Sequence, residues 1–237
     1  MKAIILAAGR GSRMKSLTDD RPKCLVEFRG RPLLEWQLKA LDQAGISEIA
    51  IVTGYKRELL INKELVEFHN PKWADTQMVS SLECAKEWLQ NENCIVSYSD
   101  IFYDAEIIRK LTDCSSDIAV AYDPNWLKLW QKRFNDPLDD AETFRLTVDQ
   151  RLAEIGKKPN SIDEISGQYM GLIRYSPIGW TEVERIRSEL IPFERDCMHM
   201  TGLLQKVIEA NLVPIHAVPC DEEWGEIDSA DDLKAYL

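Results

Sequence analysis

The sequence lacks several features that define whole classes of proteins. No apolar run approaches the roughly 20 residues of a membrane-spanning helix, and the apolar part of the first stretch, MKAIILAAGR, is too short for a signal-peptide core. The 6 cysteines are scattered and contain no CxxC pair. This spacing favours reduced, structural thiols over a disulfide framework or a zinc site. We therefore expect a cytoplasmic protein without membrane insertion.

Positive charge and histidine are also scarce. The chain has 29 Lys and Arg against 40 Asp and Glu, a net charge of -11, so we do not expect it to bind nucleic acid. The 3 histidines form no triad with a serine, which gives acyl transfer no support. Cys197 and His199 have no second pair at metal-ligand spacing, and we interpret the segment 196–201 as the start of a helix.

What the sequence does contain is an alternation of apolar strands and amphipathic helices. Near-continuous apolar strands of this kind predict an α/β fold with a mostly parallel sheet covered on both faces. The predicted strands are 2–8, 48–55, 66–70, 94–100, 117–123, 143–149, 151–156, 167–176 and 213–219. The predicted helices are 32–45, 78–89, 106–113, 178–190, 199–210 and a C-terminal helix with Ser229 as its N-cap.

The alternation loosens between residues 124 and 166, where tryptophans and charges surround two short strand-like pieces. This stretch predicts a hairpin or insertion that carries substrate specificity. No linker, repeat or low-complexity tract interrupts the remainder. We therefore expect residues 1–237 to form a single domain with one insertion.

The most informative stretch is LAAGRGSRMKSLTDDRPKCLV, residues 6–26. A strand followed by GRG suggests the dinucleotide fingerprint GxGxxG, but Met14 occupies the position of its third glycine. The P-loop pattern GxxxxGK[ST] is absent as well. A loop of small residues can still bring backbone N–H groups close to phosphate oxygens, and Arg13 and Lys23 add two cations. The alternative for the loop alone is a surface turn with solvated arginines.

This stretch resembles the N-terminal signature of the nucleotidyltransferases that make nucleotide sugars and CDP-activated head groups. The resemblance implies a three-layer, Rossmann-like α/β/α sandwich with a mixed sheet and the nucleotide at the carboxyl ends of the strands. It also implies that Arg13 and Lys23 are catalytic. The implied nucleotide-binding residues are Leu6, Ala7, Ala8, Gly9, Arg10, Gly11, Ser12, Gln77 and Ser81.

Two aspartates stand at positions suited to a metal ion. Asp100 ends the apolar strand IVSYSD, and Asp228 follows a short strand and precedes a helix. Each alone is better explained as a helix cap or loop residue. The family resemblance implies that both hold Mg²⁺, whose preferred ligands are hard oxygens, with Glu226 as a supporting candidate.

The acceptor side is predicted mainly from the resemblance. Lys158, before Pro159, corresponds to the family's acceptor-phosphate lysine, and the neighbouring Lys157 is an alternative. Tyr169 is either an acceptor contact or a core residue. Asp140 and Glu142 are candidates for positioning the acceptor tail or an ammonium group.

Trp126 and Trp130 form either an ordinary helical stripe or the wall of an acceptor pocket. In the second case they could contribute to an aromatic cage for a quaternary ammonium. Both tryptophans lie in the predicted insertion.

The segments NPKWADTQMVSSL and DPNWLKLWQKRFNDPLDD resemble the cytidylyltransferase branch of the family rather than the hexose-phosphate branch. One departure is TQMV, where relatives commonly have an asparagine in place of Gln77. The resemblance implies transfer of CMP from CTP to a small phosphonate, phosphocholine or similar phosphorylated head group, with release of pyrophosphate. It favours a phosphonate, leaves an amino-acid phosphate open, and implies a homodimer.

Two other functions remain open from the sequence. One is a sugar-1-phosphate nucleotidyltransferase that uses UTP or another nucleotide. The other is a non-catalytic module that senses a nucleotide, although retention of both cations and both aspartates argues against it. A Rossmann dehydrogenase is disfavoured by Met14 and by the Pro-Lys element.

Overall fold

The computed structural model describes residues 1–61 and 65–236, and a seven-stranded sheet forms its centre. In the described residues the strands are β1 (Lys2–Ala7), β2 (Glu27–Phe28), β3 (Arg31–Pro32), β4 (Ile49–Thr53), β5 (Val66–His69), β6 (Cys94–Tyr98), β7 (Ile101–Tyr103), β8 (Ile118–Asp123), β9 (Phe144–Leu146), β10 (Leu152–Ile155), β11 (Gln168–Tyr175), β12 (Ile215–Pro219) and β13 (Trp224–Glu226).

Helices connect these strands. The described α-helices are α1 (Leu33–Gln43), α2 (Met78–Glu83), α3 (Lys86–Asn91), α4 (Ala105–Asp113), α5 (Trp126–Arg133), α6 (Pro177–Ser188), α7 (Pro192–Asp196), α8 (Met200–Ala210) and α9 (Asp232–Ala235). Short 3₁₀ helices cover Ser12–Thr18, Lys23–Leu25, Arg57–Leu59, Pro137–Asp139 and Ile162–Glu164. None of the described helices is long and apolar enough to cross a membrane.

The central sheet has the strand order β12-β8-β11-β6-β1-β4-β5. Its neighbours are parallel except where β11 pairs antiparallel with β6 and β8. The inner strands are buried on both faces, and all six residues of β8 are buried. Such strands occur where layers cover both faces of a sheet. The prediction of a mixed, mostly parallel α/β sheet is confirmed.

Two-stranded sheets flank the central sheet, and two of them lie near the candidate site described below. β9 and β10 form an antiparallel hairpin within the predicted insertion, as the sequence suggested. β7 and β13 form an antiparallel pair in which Glu226 lies opposite Ile101. That pairing joins the C-terminal segment to the end of the central strand β6.

Two local predictions are wrong. The segment 78–89, predicted as one helix, divides into α2 and α3, because Ala85 leaves helical geometry at φ -96° and ψ 16°. Ser229 is not the N-cap of the last helix, since α9 starts later and Asp231 occupies that position. The Ser229 hydroxyl lies earlier in the chain, where it accepts from the Asp232 amide at 3.4 Å and donates to the Asp232 carboxylate at 2.9 Å.

Candidate active site

The glycine-rich loop follows β1 and turns back onto Lys23. Gly11 has a φ of +69°, which L-residues with a side chain rarely adopt. A Cβ at this position would lie 2.8 Å from the Lys23 Cβ. The buried hydroxyl of Thr18 donates to the Gly11 carbonyl at 3.0 Å and holds the turn. The glycine therefore gives Lys23 the space to pass under the loop.

The β7–β13 pair brings distant carboxylates together. Asp100 lies in the turn between β6 and β7, while Glu226 ends β13 and Asp228 follows it. The Ile227 amide donates to the Asp100 carbonyl at 2.9 Å, which fixes the two segments side by side. Carboxylate oxygens of Asp100, Glu226 and Asp228 lie within 4.8 Å of one another. The clustering of these acids follows from strand register.

A buried glutamine fixes the turn that carries Asp100. The Gln37 side-chain amide, on α1, donates to the carbonyls of Tyr98 at 2.9 Å and Ile101 at 2.6 Å. Both carbonyls flank the turn, and Gln37 is completely buried. The turn is thus held from behind by a helix, which limits its movement.

Lys23 lies between two of the carboxylates. Its ammonium donates to Asp100 Oδ2 at 2.8 Å and to Asp228 Oδ1 at 2.6 Å. The Arg13 guanidinium lies 3.0 Å from the same Asp228 oxygen. Only 8% of the Lys23 side chain is exposed, against 66% for Arg13. One cation is therefore built into the cluster, and the other reaches it from the surface.

The buried charges shift one another's pKa values. Burial alone would lower the pKa of Lys23, but the charges of Asp100 and Asp228 outweigh it and raise that pKa. Burial opposes ionisation of Asp228, yet Lys23 and Arg13 hold its pKa below the ordinary value. For Glu226, burial and the nearby acids raise the pKa to about 8. Lys23 and Asp228 are accordingly ionised at neutral pH.

A second layer orients Asp228. The Asp232 carboxylate accepts hydrogen bonds from the backbone amides of Asp228 at 3.0 Å and Ser229 at 2.7 Å. The buried Arg133 guanidinium donates to the other Asp232 oxygen at 2.8 Å and also contacts Glu226 at 3.4 Å. These bonds fix the backbone that presents the Asp228 side chain.

The three carboxylates fit a divalent cation. Asp100 Oδ1 is buried and has no hydrogen-bond partner in the described part of the chain, which is costly for a carboxylate oxygen. Oxygen-only ligand sets of this kind suit Mg²⁺ or Ca²⁺ rather than zinc or copper. Asp100, Glu226 and Asp228 are therefore the residues that could hold such an ion.

A cavity of about 390 Å³ lies beside the glycine-rich loop. Of the residues that the sequence predicted for the nucleotide, it is lined by Leu6, Ala8, Gly9, Arg10, Gly11, Gln77 and Ser81, together with Arg13, Lys23 and Asp100. Ala7 and Ser12 are not among its lining residues. The loop, the two cations and one carboxylate thus share a single cavity.

A larger cavity of about 610 Å³ lies on the other side of the carboxylates. Its predicted lining residues are Arg13, Asp140, Glu142, Tyr169, Glu226 and Asp228. Arg13 and Tyr98 line both cavities. A molecule in one cavity would therefore meet a molecule in the other at the acidic cluster.

Two predicted acceptor residues lie elsewhere. The Lys158 ammonium donates to the backbone carbonyls of Leu138 and Asp139, and neither cavity is lined by it. A contact with an acceptor phosphate would require those bonds to break. Trp126 is 3% exposed and packs edge-on against Trp130 with ring centroids 6.1 Å apart, so it belongs to the core stripe.

Several lining residues escaped the sequence reasoning. The nucleotide cavity includes Trp73 and Thr76, and the larger cavity includes His199, Lys206 and Trp224. The Trp73 segment was recognised as characteristic of a family branch, but no role followed from it. The segment around His199 was considered only as a metal site or a helix start, and no sequence signal marked Lys206.

Comparison with known proteins identifies the family. Residues 3–158 match the MobA-like NTP transferase domain. The chain belongs to this family of nucleotidyltransferases. It is also 39% identical to CTP:phosphoglutamine cytidylyltransferase of Campylobacter jejuni, over 100% of this chain and 99% of that protein. The predicted kinship with the cytidylyltransferase branch, and the prediction of an enzyme, are confirmed.

Other relatives match over part of the chain or in fold alone. The choline-phosphate cytidylyltransferase of Streptococcus pneumoniae is 41% identical over 43% of this chain and 46% of its own length. Among solved structures, the inositol-1-phosphate CTP transferase of T. maritima superposes with a TM-score of 0.77 at 19% identity, covering 98% of this chain and 90% of that one. The predicted nucleotidyltransferase sandwich is confirmed by this likeness.

Proposed function

We propose that the protein transfers CMP from CTP to a small phosphorylated acceptor and releases pyrophosphate, with Mg²⁺ as its cofactor. The observation that carries the proposal is the acidic cluster at the junction of two cavities, with Lys23 and Arg13 beside it. One cavity has the family's glycine-rich loop, and the other has room for a small acceptor. The full-length similarity to a CTP-dependent relative supports CTP as the donor.

The reaction requires two anions to approach each other. An oxygen of the acceptor phosphate attacks the α-phosphorus of CTP in line, the bond from that phosphorus to the bridging oxygen breaks, and pyrophosphate leaves with the electron pair. The attacking oxygen is already anionic at neutral pH, so no general base is needed. Positioning and charge neutralisation therefore carry the catalysis.

The position of each residue determines the role that we propose for it. The loop 7–12 is assigned to the triphosphate, because backbone N–H groups of small residues approach phosphate oxygens closely. Lys23 and Arg13 neutralise charge at the α-phosphate and the leaving group. Both cations contact carboxylates, and phosphate oxygens of the substrate would compete for the same contacts.

The Mg²⁺ ion is assigned to Asp100 and Asp228, with Glu226 completing the set. When bound, Mg²⁺ would neutralise phosphate charge. The Lys23 ammonium donates to Asp100 Oδ2 and Asp228 Oδ1. Asp100 Oδ1, which has no hydrogen-bond partner among the described residues, would be available to the ion.

For the acceptor we place an amino-acid phosphate of the phosphoglutamine kind ahead of the phosphonate that the sequence favoured. The relative named for phosphoglutamine matches the whole chain, whereas the choline-phosphate enzyme matches less than half of it. Asp140 and Glu142 line the larger cavity and supply the negative charge that an acceptor ammonium requires. The aromatic cage considered for Trp126 finds no support, because that side chain is in the core.

A donor and acceptor panel tests the proposal through pyrophosphate release. CTP, UTP and GTP are each combined with phosphoglutamine, phosphocholine, 2-aminoethylphosphonate and glucose 1-phosphate, with and without Mg²⁺ and after treatment with EDTA. We expect turnover with CTP and phosphoglutamine that requires Mg²⁺. Turnover confined to UTP and glucose 1-phosphate would establish a sugar nucleotidyltransferase instead. CTP binding with no turnover in any combination would indicate a nucleotide sensor.

A further inference from the structure

The start of α8 forms a wall of the larger cavity that the mechanism above does not use. His199, Gly202 and Lys206 all line this cavity. Their spacing of three and four residues puts them on one side of the helix. A Cβ at Gly202 would meet nothing within 4 Å, so the helix surface is open to the cavity at this position.

Lys206 brings an uncompensated positive charge to this wall. In residues 1–61 and 65–236 no carboxylate lies within 4.0 Å of its ammonium. Arg13, by comparison, is 3.0 Å from Asp228. Apart from Arg13, where the two cavities meet, and His199, the other titratable side chains charged in water that line the cavity are the carboxyl groups of Asp140, Glu142, Glu226 and Asp228. A lysine without a partner on such a wall is available for an anionic group of a ligand.

The backbone at the start of α8 adds further donors to this wall. α8 starts without a side-chain cap, and the first amides of a helix have no partner within the helix. A carboxylate bound beside Lys206 and His199 could accept hydrogen bonds from them.

The two signs of charge are separated within the cavity. Asp140 and Glu142 come from the insertion, whereas His199 and Lys206 belong to the α8 wall. An acceptor with an ammonium alone would use only the first pair. A zwitterionic acceptor would use both pairs and would be fixed in orientation by them.

We infer that Lys206 and His199 bind a carboxylate of the acceptor and thereby select phosphorylated amino acids over phosphorylated amines. This inference rests on the proposed function, because it assigns the larger cavity to the acceptor. Both side chains determine specificity and contact the substrate away from the reacting phosphate. Their loss therefore changes acceptor binding rather than the chemical step.

The test compares two acceptors that differ in one group. These are phosphoglutamine and its analogue without the α-carboxylate, each offered with CTP and Mg²⁺ to the wild type, Lys206→Met and His199→Gln. For phosphoglutamine we expect Lys206→Met to raise KM about 10- to 100-fold, the loss expected for a charge-assisted hydrogen bond, with kcat unchanged. For the analogue, wild type and variant should have the same KM. Lys86→Met, an exposed lysine outside both cavities, is the matched control.

Calorimetric binding of the same two ligands separates this inference from the proposed function. If no acceptor is turned over but Lys206→Met still weakens binding of the carboxylate ligand selectively, the proposed function fails and the carboxylate site stands. If turnover occurs but Lys206→Met affects both ligands equally, or neither, the carboxylate site is overturned. A wild type that does not distinguish the two ligands overturns it as well.

Discussion

The two cavities meet at Arg13 and Tyr98, yet they are built in opposite ways. Most of the wall around the nucleotide cavity comes from two continuous stretches, 6–23 and 73–81. The larger cavity collects single residues and short pieces from positions 13 to 228. A continuous stretch forms a motif that can be recognised in a sequence. A wall assembled from distant elements leaves no such pattern.

The cavities also differ in what contacts the ligand. The nucleotide side offers a loop of small residues, in which the backbone itself can bind phosphate. The larger cavity offers carboxylates, an imidazole, a lysine and aromatic rings. Under the proposed function, the backbone of the loop would bind the phosphates of the nucleotide, while side chains of the larger cavity would select the acceptor. Substitutions beside the glycine-rich loop should therefore change mainly kcat, whereas substitutions in the larger cavity should change mainly the KM for the acceptor.

The largest effect is expected on the nucleotide side. Lys23→Ala should reduce kcat by at least about 100-fold, as removal of a group that stabilises developing charge typically does. Pyrophosphate release measures the loss, and Lys86→Ala is the control. Because the change leaves Asp100 and Asp228 without their buried cation, the melting temperature is recorded to confirm that the variant is folded. Near-normal turnover in a folded variant would remove Lys23 from the mechanism.

The second-largest effect is expected on stability, from a substitution of Asp232, which supports the acidic cluster. Asp232→Ala removes the shortest ion-pair contact of the buried Arg133 guanidinium and leaves it only the longer contacts with Glu226 at 3.4 Å and Asp228 at 4.0 Å. Because breaking a buried pair completely costs about 3–5 kcal/mol, we expect a loss of stability that approaches this range. Denaturant unfolding should record that loss. Asp20→Ala is the matched control, since its pair with Arg21 is exposed and its loss should leave the free energy of unfolding close to that of the wild type. Equal effects of the two variants would refute the role given to Asp232.

A comparison of alanine variants at two glycines distinguishes the effect of backbone strain from the effect of crowding Lys23. Gly11 and Gly30 both have positive φ, but a Cβ at Gly30 would meet nothing within 4 Å. Alanine at either position should cost about 1–2 kcal/mol of stability. Gly11→Ala should also lower kcat, because its Cβ would press on the Lys23 Cβ. The comparison fails if Gly30→Ala reduces kcat by the same factor.

The smallest expected effect is a pH dependence of acceptor affinity, caused by Glu142 in the larger cavity. Burial, and then the Asp140 charge, raise the pKa of Glu142 above its ordinary 4.5, although Thr201 and His199 oppose the shift. The carboxylate binds an ammonium only when ionised. Acceptor affinity should therefore be complete above the raised pKa and weaken as the pH falls through it.

Glu142→Gln tests this assignment. The variant should bind an ammonium-bearing acceptor severalfold more weakly at neutral pH and lose that part of the pH dependence of KM. An unchanged KM profile from acid to neutral pH would mean that Glu142 does not contact the ammonium. The pH profile of the KM for CTP should be the same in wild type and variant.

The fold was largely predictable, and its errors were local. Alternating apolar strands and amphipathic helices indicated the sheet, because burial on both faces leaves an apolar run in the sequence. The break at Ala85 carries no comparable signal, since the apolar positions of 78–89 continue at helical spacing across it. The last helix begins later than predicted, with Asp231 rather than Ser229 at its N-cap position. The Ser229 hydroxyl donates to the Asp232 side chain, a contact that the sequence did not predict.

The parts of the site formed by residues close together along the chain could be predicted best. Most of the glycine-rich loop lines the nucleotide cavity as expected, and Asp100 and Asp228 lie together. Lys158 was assigned by resemblance to a motif, yet in this fold its ammonium is engaged by nearby carbonyls. The roles of all these residues in catalysis and binding stay predictions until the variants are measured.

The sequence alone determined the layered α/β fold and the phosphate-oriented loop, because both depend on residues close together in the chain. Only the tertiary structure decided which acids cluster and which cation stands alone. Strand pairing between β7 and β13 brings Glu226 opposite Ile101 and thus beside Asp100, across a separation that no local pattern spans. The same folding carries Lys206 to the cavity wall, where no carboxylate of the described residues lies within 4.0 Å of its ammonium. Register and packing, which depend on the whole chain, create this half of the site.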